Sequence, residues 1–170
     1  MTRPRLIIFD VDGTLVDSQH TIIATMATAF RGYGLPAPAP EAVRSIVGLS
    51  LERGIARLAP DLPAARHGEL ADAYRAAFRV DREANGSVAG SPLFPGARAT
   101  LDRLAGRDGT ILGVATGKSR RGLDALLDAH DLAAYFATVQ VADDHPSKPD
   151  PSMILAAMAT TGCAPEETVM

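Results

Sequence analysis

Asp10 and Asp12, followed at once by Gly13, are the residues whose types and spacing most invite chemistry. Two carboxylates two positions apart can face one small site where a chain leaves a strand. A hard cation such as Mg²⁺ would relieve their repulsion, and one carboxylate could then attack phosphorus while the other moves a proton. A solvated acidic turn is the plain alternative. A calcium loop of the helix-loop-helix kind needs a further acidic or amide residue before its glycine and a helix in front, and this stretch has neither. Two more polar stretches follow, Thr116-Gly117-Lys118-Ser119 and Ser147-Lys148-Pro149-Asp150-Pro151. Gly117-Lys118-Ser119 lacks the earlier glycine of a nucleotide-binding loop, because Leu112 stands there. What remains is a hydroxyl with backbone N–H groups, suited to phosphate oxygens or to an ordinary helix cap.

The elements that must position these residues can be read around them. Leu6-Ile7-Ile8-Phe9 is an apolar run too short for a globular helix and without polar alternation, which predicts a strand buried on both faces of a parallel sheet. Its acids fall at the C-terminal end, where ligands collect in open α/β sheets. Gly13 allows a sharp turn, and Asp17 or Ser18 can cap the next helix. Thr110–Ala115 and 137–141 predict two further strands. Ser119 can cap a helix with Leu123, Leu126 and Leu127 inward, and Asp150 one that starts at Pro151. Glu166–Met170 has the look of another strand beginning. Between Asp17 and Ala89 the pattern changes. Ile22, Met26 and Phe30 mark one helix, a short one runs from Glu41 to Gly48, Leu51 to Leu58 marks a third, and Leu70, Tyr74 and Phe78 a fourth. Phe30, Tyr74 and Phe78 read as core packing. Four helices without a strand predict a helical subdomain, residues 17–89, inserted into an α/β core of residues 1–16 and 90–170.

Asp10-Val11-Asp12-Gly13-Thr14-Leu15-Val16-Asp17-Ser18 resembles the first motif of the haloacid dehalogenase-like hydrolase superfamily, in its phosphoglycolate phosphatase-like branch. The resemblance implies a Rossmann-like parallel sheet with an inserted α-helical cap, and Mg²⁺-dependent hydrolysis of a small phosphorylated metabolite. It makes Asp10 the nucleophile that becomes an aspartyl-phosphate and Asp12 the general acid/base, both beside the metal. It makes Thr116 and Lys148 the phosphate-stabilising residues, with Gly13 and Gly117 beside the phosphate. Arg44, Gly48 and Ser50, with Arg53 nearby, fall on a cap segment that faces substrate in relatives. Ser147 departs from the glycine common there. Relatives continue past the last strand into a fourth motif of metal-binding carboxylates, so the resemblance implies a core incomplete at its C-terminus. A sugar phosphomutase of the same superfamily and a non-catalytic phosphate-binding module are the rival readings.

Composition narrows the remaining classes. With 46% hydrophobic and 22% charged residues, 170 residues suffice for one domain carrying an insertion. A net charge of −3 without a basic stripe argues against nucleic acid, and no Lys/Arg-rich amphipathic face suggests a membrane surface. The apolar run after Arg3 and Arg5 stops at Asp10, too soon for a signal peptide. Cys163 is the single cysteine, best read as a small buried hydrophobe in a cytoplasmic protein. His145 reads as a surface-loop residue, and the histidines lack metal-ligand spacing. The oligomeric state is open.

Overall fold

The computed structural model describes residues 5–170; Arg3 and the rest of the first four residues of the expected core lie outside the described residues. Strand β1 is Leu6–Phe9, followed by helices α1 (Gln19–Gly32), α2 (Pro40–Arg44), α3 (Leu51–Leu58), α4 (Ala64–Asn85), α5 (Ser87–Gly90) and α6 (Ala97–Ala105). Then come β2 (Ile111–Ala115), α7 (Arg120–Ala129), β3 (Thr138–Gln140), α8 (Ser152–Thr161) and β4 (Thr168–Val169). The four strands form a sheet in the order β3-β2-β1-β4. All pairings are parallel, with Leu6 opposite both Ile111 and Thr168. β1 thus lies inside the sheet, as its unbroken apolar sequence requires.

Alternation along the strands builds two cores. Leu6 and Ile8 turn to one face and meet Met153 and Ala157 of α8, with Cys163 buried among them. On the other face Leu112 and Val114 meet Leu101 and Leu104 of α6 and Leu123, Leu126 and Leu127 of α7. The inserted helices have a third core of their own, made by Ile22, Met26, Phe30, Val43, Ile46, Ile55 and Leu70. Two passages connect this helical cluster to the sheet, and they bond to each other. Asp17 N–H donates to Pro92 O at 2.8 Å and Phe94 N–H to Leu15 O at 2.9 Å.

Several expectations from local sequence are corrected. The short helix α2 ends at Arg44 rather than Gly48, and turns carry the chain onward. α8 starts one residue later than expected, at Ser152, whose N–H donates to Asp150 Oδ1 at 2.9 Å. Ser18 stands at the N-cap of α1 without a capping hydrogen bond from its side chain, which is directed to Asp12 instead. Ser119 does cap α7, accepting from Gly122 N–H at 3.3 Å. Tyr74 packs against the helical core, as read, and also borders an open cleft between the helical cluster and the sheet, whereas Phe78, read as core, lines that cleft and joins no core cluster among the described residues.

Candidate active site

The C-terminal end of β1 turns immediately. Val11 O accepts hydrogen bonds from Leu15 and Val16 N–H, and Gly13 takes a φ of +79° that other residues adopt at a cost. This loop presents both carboxylates. Asp10 Oδ1 accepts from Val11 N–H at 2.8 Å, while Oδ2 lies 2.9 Å from Lys148 Nζ. Asp12 Oδ1 receives the Ser18 hydroxyl at 2.5 Å and lies 3.0 Å from Lys118 Nζ.

β2 delivers the second group. Thr116 follows directly, almost fully buried, its N–H bonded to Gln140 O at 3.0 Å. Its Oγ1 accepts from Lys118 N–H at 3.2 Å, which leaves the hydroxyl proton for another acceptor. The loop after β3 delivers Lys148. His145 on the same loop is tied to Gln140 and Ser152 at 2.8 and 2.7 Å.

The turn at Gly48–Ser50 is laid across these loops. A Cβ placed on Gly117 would lie 2.6 Å from Gly48 O and 2.8 Å from the Leu49 carbonyl carbon, so only glycine lets the two backbones approach. Gly48 has a φ of +94°, and a Cβ there would be 3.7 Å from Asp10 Oδ2. Ser50 N–H donates to Ser147 Oγ at 2.8 Å. The structure therefore brings together Asp10, Asp12, Gly13, Thr116, Gly117, Lys148, Gly48 and Ser50. Arg44 is not brought there: its exposed guanidinium pairs with Glu41 at 3.1 Å, away from the cleft lining. Arg53 is exposed and outside the lining too.

Sequence reasoning gave Lys118 and Ser18 no part at Asp12. Lys118 lay in a stretch read for its backbone and hydroxyls, and Ser18 fitted a helix cap. The Lys118 ammonium also stands 5.6 Å from the centre of the Phe78 ring, joining a sheet loop to α4. Tyr74 beside it has its phenol pKa raised, by burial first and by the Asp12 charge second. Its hydroxyl consequently stays a donor.

The donors suit a hard divalent cation. Asp10 and Asp12 are the acids at hand, and among the described residues no cluster of three or more His, Cys, Asp or Glu side chains could hold a metal. Mg²⁺ fits that supply, because it keeps several waters and takes one or two carboxylates plus phosphate oxygens.

With the geometry in view, comparison with known proteins gives one family. The model described as haloacid dehalogenase-like hydrolase matches residues 7–170. The probable phosphatase IndB of Dickeya dadantii is 39% identical over 170 residues, covering 97% of this chain and 71% of that protein. A phosphoglycolate phosphatase of Photorhabdus laumondii is 34% identical, covering 96% of this chain and 69% of that protein. Phosphoglycolate phosphatase 1 of Pseudomonas aeruginosa is also 34% identical, and the match spans 61% of its length. Among solved structures, a haloacid dehalogenase-like family hydrolase from Streptococcus pneumoniae superposes with a TM-score of 0.79 at 26% identity, over 99% of this chain and 75% of that one. The chain belongs to the haloacid dehalogenase-like hydrolases, in the branch resembling phosphoglycolate phosphatases. The α/β expectation holds with it.

Proposed function

We propose that this chain is a Mg²⁺-dependent phosphoric monoester hydrolase that acts on a small phosphorylated metabolite through an aspartyl-phosphate on Asp10. Residues 17–89 serve as a cap over a core made by residues 1–16 and 90–170. One observation carries the reading. The Lys148 ammonium is ion-paired with Asp10 Oδ2 at 2.9 Å, its nitrogen is covered, and no other acceptor among the described residues engages its remaining donors. A buried ammonium with unmet donors is costly, and a phosphoryl oxygen beside Asp10 would satisfy it.

The remaining side chains fall into a sequence of roles. Asp10 attacks phosphorus in line, and the phosphorus–oxygen bond to the leaving group breaks. Lys148 and the Thr116 hydroxyl hold the equatorial oxygens. Asp12 gives its proton to the departing alkoxide, then takes one from the water that cleaves the acyl phosphate and restores Asp10. When bound, Mg²⁺ neutralises charge between the carboxylates and the phosphoryl oxygens. The cap turn at Gly48–Ser50 keeps bulk water from the acyl phosphate. Relatives bearing the name phosphoglycolate phosphatase make that ester a candidate substrate. The free, buried Cys163 supports a reducing compartment such as the cytoplasm.

The test is phosphate release from a generic aryl phosphate. Asp10→Asn should abolish turnover while leaving the melting curve in place, and Asp12→Asn should cost about 10²- to 10⁴-fold. Chelation should stop the reaction and added Mg²⁺ restore it. Near-normal turnover by Asp10→Asn would sink the assignment.

A further inference from the structure

The cleft between cap and core encloses a cavity of about 240 Å³. Asp12, Gly117 and Lys118 line it, whereas Asp10, Thr116 and Lys148 do not. The open volume therefore lies beyond the phosphoryl position, on the side where the leaving-group oxygen would meet Asp12. It approaches the lower end of the range that holds drug-sized molecules, roughly 300 to 1,000 Å³. A two-carbon leaving group would leave most of it to water.

Its wall has two characters. Ile22, Met26, Ile46 and Leu49 supply an apolar side, and the Tyr74 and Phe78 rings of α4 continue it with centroids 5.9 Å apart. No hydrogen bond engages the Tyr74 hydroxyl among the described residues, so the apolar wall carries one free donor near Asp12. The other side is cationic. Arg79 and Arg82 of α4 and Arg121 of α7 line the same cavity, and none of the three joins an ion pair among the described residues. The neighbouring acids are engaged elsewhere: Glu52 pairs with Arg75, and Asp143 accepts from Arg120 N–H. Arg79 and Arg121 are exposed while Asp12 and Lys118 are mostly covered, which puts the arginines at the mouth and the chemistry at the floor.

We propose that the cleft selects phosphate monoesters whose leaving group has a ring-sized body with an apolar face and a second anionic group at its far end. The ring lies along Tyr74 and Phe78, and the anion reaches Arg79, Arg82 and Arg121. This rests on the phosphatase reading above and assigns the substrate class. Spatial order decides the shape: acid at the floor, apolar wall between, unpaired guanidinium groups at the mouth. A short anionic ester such as phosphoglycolate has the charge but no body to lie along that wall, so the cleft should favour the larger ester over it.

Four alkyl phosphates separate the two features: ethyl phosphate, phosphoglycolate, benzyl phosphate and 4-carboxybenzyl phosphate. The last should have the highest kcat/KM, at least about tenfold above phosphoglycolate and above benzyl phosphate. In the Arg79→Gln, Arg121→Gln double variant the ratio of 4-carboxybenzyl to benzyl phosphate should fall toward one. Phe78→Ala should lower the ratio of benzyl to ethyl phosphate. Competition gives a second readout, with 4-carboxybenzylphosphonate expected to inhibit at least about tenfold more tightly than phosphonoacetate. Turnover led by phosphoglycolate or ethyl phosphate would overturn this inference and leave the phosphatase reading standing. Phosphate release from none of the four would overturn both.

Discussion

Asp12 holds two partners on one oxygen, the Ser18 hydroxyl and the Lys118 ammonium. Its other oxygen has no hydrogen bond among the described residues, which in the proposed mechanism leaves it for the leaving group. Ser18 is fully buried, so this orientation is fixed by packing as well as by the hydrogen bond. A hydrogen bond to a charged group contributes roughly 1.5 to 3 kcal/mol, and tenfold in rate corresponds to about 1.4 kcal/mol. Ser18→Ala should accordingly lower kcat about tenfold or more with little change in KM. The same substitution placed on Asp12→Asn should cost much less, since the group it orients no longer moves a proton. Equal losses in both backgrounds would make Ser18 a structural residue only. The two acids were legible because Asp10, Asp12 and Gly13 fall within four residues and follow an apolar run. Ser18 was legible as a residue but not in its role, because a serine before a helix is chemically equivalent to an ordinary cap until the fold puts Asp12 beside it.

At the scale of elements, the turn at Gly48–Ser50 and the loops after β2 and β3 make a seam. Gly117 sits under the backbone of Gly48 and Leu49, and Ser147 accepts the Ser50 N–H from across the cleft. A methyl at position 117 meets carbonyl backbone rather than a flexible side chain, so the turn at Gly48–Ser50 must lift; such overpacking costs about 1 to 3 kcal/mol. Gly117→Ala should lower the melting temperature and raise KM. Ser147→Ala leaves Ser50 N–H unpaired, and its first sign should be faster hydrogen exchange at that amide, with a stability loss of about 0.5 to 1.5 kcal/mol. Unchanged exchange would mean the seam is already open in solution. The resemblance had put Gly48, Ser50 and Gly117 near the site, but the contacts that make the seam, Gly117 under the Gly48–Leu49 backbone and Ser147 under Ser50 N–H, were not legible in sequence. β1 and β2 declared themselves through short apolar runs, and α4 through its spacing of Leu70, Tyr74 and Phe78. Periodicity gives a helix a face without saying what that face meets. The C-terminal half of α4 runs past its own core, in which only Leu70 and Ala71 of the helix are buried, and it borders the cleft instead.

The whole molecule is two sheet-side cores and a helical core, joined by the paired passages at Leu15–Asp17 and Pro92–Phe94. Each packs its apolar side chains separately, while the polar groups of the site collect where they adjoin. Lys148 stands at that junction, paired with Asp10 but with its other donors unmet, opposite the Gly48–Ser50 turn that touches Gly117. An anion placed there satisfies the lysine on the sheet side and lies beneath the Gly48–Ser50 turn of the helical part, so it should tie the two parts together. Ligand at one hundred times its dissociation constant stabilises the folded state by about 2.7 kcal/mol. For a chain of this size that corresponds to roughly 5 to 10 °C in melting temperature. Inorganic phosphate with Mg²⁺ should therefore raise and sharpen the unfolding transition by that amount. In Lys148→Met the shift, measured against that variant's own baseline, should vanish. Because the methionine keeps the length and packing of the side chain and removes only the charge, a full shift in the variant would mean that phosphate binds elsewhere and that the buried ammonium answers to some other group.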